Sequence, residues 1–164
     1  MTHARKGAIR AADIPADVLH ALSRGQMQSA TLAECMALDQ AMLVRTVVPG
    51  LSASALKAVN VACALGVLKR MACIGAVLLD ELGTDGIAQC QSHAADTVRG
   101  WACFMIGAQP ALDLQARLTS IRPLADDVHF GVREWAWMGV RPHLAQELAE
   151  SIAHLAPWTA ESSE

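Results

Sequence analysis

The sequence predicts an all-α fold of stacked antiparallel helix pairs, and three observations carry that prediction. Of its 164 residues 53% are hydrophobic, dominated by Ala, Leu and Val, while aromatics make up only 4% and Tyr is absent, a balance that suits closely packed helices and leaves strand formers scarce. Capping residues, glycines and prolines recur at intervals that cut the chain into short helices. Short helices joined by turns of a few residues must lie antiparallel to their neighbours. The length suits one domain with its own core, or about four helical repeats of roughly 35–45 residues.

The opening segment to Ala12 has no periodic apolar pattern and reads as a flexible tail (1–12), leaving 13–164 as a single helical-repeat domain. Asp13-Ile14-Pro15 supplies a capping side chain and an early proline for a first helix that Gly25 ends. Thr31-Leu32-Ala33-Glu34 is a capping box opening a helix predicted to run to about Val48, with Pro49-Gly50 as the stop. Ser52 or Ser54 opens the next, to about Leu65. Gly66 to Leu82 is apolar on most faces and is expected to be the most buried element. Further helices are expected from Thr84, from Asp96, from Pro110, from near His129, and from Pro142 to about Ala156.

The apolar run Met71–Leu79 lies between Lys69-Arg70 and Asp80-Glu81 and is too short for a bilayer, which needs about 20 residues. The basic N-terminus leads into no apolar signal region, so a cytoplasmic location is expected. Cys35, Cys63, Cys73, Cys90 and Cys103 are odd in number and lack CxxC spacing, and each sits among apolar residues. They read as small core residues in a reducing compartment; no metal site and no cofactor are expected. The net charge of −3 is uneven: residues 1–82 hold eight Lys/Arg against six Asp/Glu, and residues 83–164 hold five against ten. That acidic excess argues against nucleic-acid binding, which favours a basic surface.

Two segments match. DTVRGWACFMIG and DDVHFGVREWAWMG align Val98-Arg99 and Trp101-Ala102 with Val132-Arg133 and Trp135-Ala136 at an offset of 34 residues, and each then reaches a glycine, Gly107 or Gly139. An acidic residue in the turn followed by Val-Arg opening the second helix resembles the HEAT-repeat signature, formed best by Asp127 and Val132-Arg133. From His93 onward, and above all in IRPLADDVHFGVREWAWMGVRPHLAQELAESIAHLAPWTAESSE, the chain resembles the HEAT-like-repeat DNA alkylation-repair proteins of bacteria; from Ile14 to Leu82 the resemblance is weaker, though the helix layout is compatible.

The resemblance implies an α-α superhelix, or solenoid, whose concave face carries double-stranded alkylated DNA, and in its glycosylase members excision of cationic N-alkylated purines such as 3-methyladenine and 7-methylguanine. Breaking the glycosidic bond develops oxocarbenium character on the sugar, which a carboxylate and aromatic faces stabilise, while the cationic base is a good leaving group. The chain departs from the catalytic pattern of an aromatic one turn before an acid, because Met105, Gly139 and Arg141 stand four residues after Trp101, Trp135 and Trp137. The pattern also implies a further, basic repeat after APWTAESSE, so a shortened, inactive relative is one expectation. A non-enzymatic scaffold for a protein partner is another, favoured by the acidic C-terminal half.

Asp96, Arg99, Trp101, Asp127 and Trp135 occupy repeat positions and read as structural, with Asp127 accepting from turn amides or a neighbouring Arg. Arg133 shares its repeat position with Arg99. Trp137 does not recur, and with Arg133 and Arg141 four residues to either side it forms an Arg-Trp-Arg stripe, open either to phosphate and sugar contact or to satisfaction within the protein. Arg122 and Arg141 each precede a proline, where helices tend to end. With Arg133 and Trp137 they complete the candidate DNA-binding set. Asp126 and Glu134, followed by Asp113, are the candidate sugar-stabilising acids; His93, His129 and His143 sit at helix boundaries with no ligand spacing, where capping or solvent exposure is expected rather than metal binding.

Overall fold

The computed structural model describes residues 9–161, and among them lie ten α-helices and no strand. The first eight residues of the expected tail fall outside this range; Ala11 and Ala12, placed in that tail, belong to a 3-10 turn, Ala11–Asp13. Asp13 does not cap the first helix but pairs with Arg10 at 2.7 Å, and Pro15 takes the cap position of α1 (Ala16–Ser23). Gly25 ends that helix with φ +69°, a conformation that only glycine adopts without strain.

The capping box at Thr31 forms, displaced by one residue. Thr31 Oγ1 accepts from the Glu34 amide at 3.2 Å, while Glu34 Oε2 accepts from Ala30 rather than Thr31, at 2.6 Å. The single helix expected to Val48 is two, α2 (Leu32–Ala37) and α3 (Gln40–Val47). The break has a local cause. Leu38 is extended, the Asp39 amide donates to Ser23 Oγ of α1 at 2.9 Å instead of to a helix carbonyl, and Asp39 Oδ1 caps Met42 N at 2.9 Å.

Then come α4 (Ala53–Ala62), capped by Ser52, and α5 (Val67–Leu82), followed by α6 (Asp85–Gln91), α7 (Asp96–Ala108) and α8 (Leu114–Ala125). The last two are α9 (Phe130–Gln146) and α10 (Leu148–Glu161). Helices α4, α6 and α8 pack on the α5, α7 and α9 that follow them, and α5, α7 and α9 also pack side by side with α7 in the middle. Helix α5 is amphipathic, burying Met71, Ile74, Gly75 and Leu78 and exposing Lys69, Ala72 and Cys73. The most buried element is therefore α7, where every residue from Asp96 to Ile106 is buried because α5, α6, α8 and α9 surround it.

Small residues make this crowding feasible. A Cβ at Gly107 would fall on the carbonyl oxygen of Gly139, and one at Gly139 would stand 2.5 Å from the Cys103 oxygen, so α7 and α9 touch backbone to backbone. The C-terminal end of α7 is closed by Arg117, a buried side chain of α8 that donates to the carbonyls of Ile106, Gly107, Gln109 and Leu112.

Three prolines expected outside helices lie within them: Pro123 in α8, Pro142 in α9 and Pro157 in α10. Arg122 thus stands in the last turn of α8, and Arg141 is not at a helix end. The helix expected from Pro110 begins instead after Asp113, which caps Ala116 N at 2.8 Å. Cys35, Cys90 and Cys103 are buried, but Cys63 is half-buried and Cys73 is exposed, against the expectation of five core thiols. No helix among the described residues is long and apolar enough to cross a membrane.

Candidate functional site

Helices α8, α9 and α10 enclose an open cleft of about 680 Å³ lined by Arg122, Ala125, Asp126, Trp137, Leu155, Trp158 and Thr159. Arg122 and Asp126 are one helical turn apart at the end of α8 and so share a face. Trp137 comes from the exposed side of α9, and on α10 Leu155, Trp158 and Thr159 fall on one face by the same spacing. The two indoles meet with centroids 5.9 Å apart, inclined at 50°, and the Arg122 guanidinium carbon lies over Trp158 at 5.2 Å from its centroid. The cleft thus joins two aromatic surfaces, one cation and one carboxylate.

Three candidates chosen from the sequence, Arg122, Asp126 and Trp137, are brought together here. Trp158 was missed. Leu155-x-x-Trp158-Thr159 at helical spacing is the available signal, hidden by the expected helix end near Ala156. The expected Arg133-Trp137-Arg141 stripe does not form a contacting unit: Arg133 turns back to donate to the Asp127 carbonyl at 2.7 Å, and the cation at the indoles is Arg122. Arg141 is exposed on α9 outside the cleft lining.

The acid candidates separate. Asp126 lines the tryptophan cleft, and Asp113 is a helix cap. Glu134 stands at a different groove of about 350 Å³, walled by Leu32, Met36, Leu68, Phe130 and Trp135.

Asp96, Arg99, Asp127 and His129 build a polar bracket that joins the starts of α7 and α9. Arg99 Nε and Nη2 reach Asp127 Oδ2 and Oδ1 at 2.8 and 3.1 Å, both side chains about nine-tenths buried, and Asp127 Oδ1 also accepts from His129 N at 2.7 Å. Burial alone would raise the Asp127 carboxyl; these hydrogen bonds and the Arg99 charge outweigh it and hold the group below its ordinary value. Asp96 accepts from Ser29 N and Oγ at 2.9 and 2.5 Å, tying the α1–α2 connection to the start of α7. His129 Nδ1 accepts from Gly131 N at 3.2 Å, so its Nε2 carries hydrogen and donates to the Ser29 carbonyl at 2.7 Å.

Trp101 is wholly buried and donates to Gln40 Oε1 at 3.3 Å; Trp135 packs on Phe104 and Gly100 of α7. His93 Nδ1 accepts from Ala95 N at 3.0 Å, and His143 Nε2 bonds the Gly107 carbonyl at 2.8 Å. One bond recurs at the repeat offset. Arg99 Nη1 donates to the His93 carbonyl at 2.9 Å just as Arg133 Nη1 donates to that of Asp127, and both donor and acceptor positions differ by 34.

Among the described residues no group of three or more His, Cys, Asp or Glu is placed to hold a metal ion. Comparison with known protein families, with curated proteins and with solved structures finds no match for this chain in any of the three.

Proposed function

We propose that the chain is a HEAT-like helical array of the DNA alkylation-repair type, which holds duplex DNA bearing a cationic N-alkylated purine against the Trp137–Trp158 cleft. The observation that carries this reading is the convergence of Asp126, Arg122 and Trp137 with Trp158 in one open cleft. Indole faces and a carboxylate favour positive charge, both on an alkylated base and on a sugar that gains oxocarbenium character as the glycosidic bond breaks. In this reading Asp126 is the sugar-stabilising acid, while Arg133 and Arg141, exposed on α9, meet phosphates. The pairing of α4 with α5, α6 with α7 and α8 with α9, and the recurrence of the Arg-to-carbonyl bond after 34 residues, support the repeat architecture.

Incubation with methylated duplex DNA and measurement of the free bases tests it. Release that Asp126→Asn abolishes is the expected result; no release, together with no DNA affinity at low salt, defeats the proposal.

A second reading, a scaffold for a protein partner, is favoured by the apolar groove at Glu134, where Leu32, Met36, Leu68 and Phe130 are exposed together. DNA affinity that falls steeply with salt supports the first reading, and salt-insensitive or absent affinity the second.

A further inference from the structure

Helix α10 has two apolar sides. Leu155 and Trp158 pack against the core, and a helix lying on a core ordinarily turns polar residues outward. Here Leu148, Ala149, Ile152, Ala153, Ala156 and Ala160 fall on an outer side at helical spacing, and all are exposed, Leu148 and Ile152 at 63%. Glu150 borders this ridge, and after Arg141 the sequence holds four glutamates and no Lys or Arg.

Helices α5 and α9 are the outer members of the α5–α7–α9 row, and α10 sits at the α9 end. At the α5 end, α4 and α5 leave an open groove of about 520 Å³ walled by Val61, Leu65, Cys73, Ala76 and Val77. Val61 is 64% exposed. Cys73 and Val77 lie across α5 from Gly75, which meets Phe104 of α7, so the groove faces away from the row. Lys57 lines it and Lys69 stands one turn before Cys73, with Asp80 at the far end of that stripe. One end of the molecule is thus an apolar ridge edged by acid, and the other an apolar groove edged mainly by lysine. Their lengths agree: α10, with 14 residues, is about 21 Å long, and α5, with 16, about 24 Å.

We propose that the chain self-associates head to tail, α10 of one molecule laying its Leu148–Ile152 face in the α4–α5 groove of the next and Glu150 meeting Lys57 and Lys69. Burial of the two apolar faces supplies the affinity, and the unlike charges set the orientation. Pairing ridge with ridge would bring glutamates together, and groove with groove lysines, so the contact is heterologous. Each molecule then keeps one face open, and the assembly grows until a ring closes.

Sedimentation of the intact chain over the micromolar to millimolar range tests it, with low salt favouring association. The average mass is expected to rise with concentration. Val61→Glu spoils the groove and Ile152→Glu the ridge; each side chain is exposed, so the urea midpoint should hold while association weakens at least about tenfold. The two variants mixed in equal amounts should form a dimer and nothing larger, because the first still offers a ridge and the second a groove. Leu32→Glu, in the groove at Glu134, is the control and should associate like the unaltered chain. A monomer at every concentration overturns the proposal and leaves both faces to a partner of another kind. Full association of either single variant, a mixture that stays monomeric, or loss of association in Leu32→Glu also overturns it.

Discussion

Arg99 and Asp127 face each other side-on, two nitrogens to two oxygens, across the gap between α7 and the turn that opens α9. Removing one member of such a buried pair strands the other in low dielectric. Arg99→Leu or Asp127→Leu is therefore expected to cost about 3 kcal/mol, read by urea denaturation, and the double replacement to cost less than the sum of the two. Additive losses would show that the pair is not coupled.

Acid should weaken the same bracket. The Asp127 carboxyl titrates below its unfolded value of 3.8, so its contribution is complete above that value and disappears as pH falls through the folded one. Urea midpoints measured from pH 5 to pH 2.5 should fall more shallowly for Asp127→Asn than for the unaltered chain.

A second loss is expected nearer neutrality. Burial first, and the Arg99 charge second, lower the His93 pKa from 6.5, and its unprotonated Nδ1 accepts from Ala95 N. The unfolded chain takes up this proton first, so the contribution is full above pH 6.5 and falls away as pH drops below it. His93→Gln should flatten the stability profile between pH 7 and pH 5.

The Gly107–Gly139 crossing leaves no room for a methyl group. Gly107→Ala or Gly139→Ala presses carbon onto a backbone carbonyl that cannot rotate away, and a loss of about 3 kcal/mol is expected. Gly50→Ala, where a Cβ meets nothing within 4 Å, is the control and should shift the midpoint little.

Thiol chemistry should be selective. Cys73 is exposed, whereas burial pushes the Cys90 thiol up to about 11 and does the same for Cys35 with help from Asp96, and Cys103 is also pushed up. A disulfide reagent applied to the native protein should give one fast phase, and Cys73→Ser should remove it.

The helical class and most helix starts were legible in the sequence because caps are local: Thr31, Ser52 and His129 act on amides two or three residues away. Helix ends at proline were not. Pro123, Pro142 and Pro157 all turn their rings to solvent, and in α8 Ile121 and Leu124, in α9 Val140 and the His143 bond to Gly107, hold the helix across the missing hydrogen bond. Packing from a distant helix decided the matter, and no window of sequence contains it. The site divided in the same way. Trp137 stood out by its place between two arginines, while Arg122 read as an ordinary helix-end cation and Asp126 only as a nearby carboxylate; their shared cleft depends on α10 folding back with Trp158, a contact set by tertiary structure.

The Arg-to-carbonyl bond found at both 99 and 133 has an acceptor that every amino acid supplies. Whatever replaces His93 or Asp127, the main-chain oxygen remains, so the joint makes no demand on the identity of the residue it grips. A 34-residue segment could drift in nearly every surface letter and still hold the turn before its helix by the same arginine.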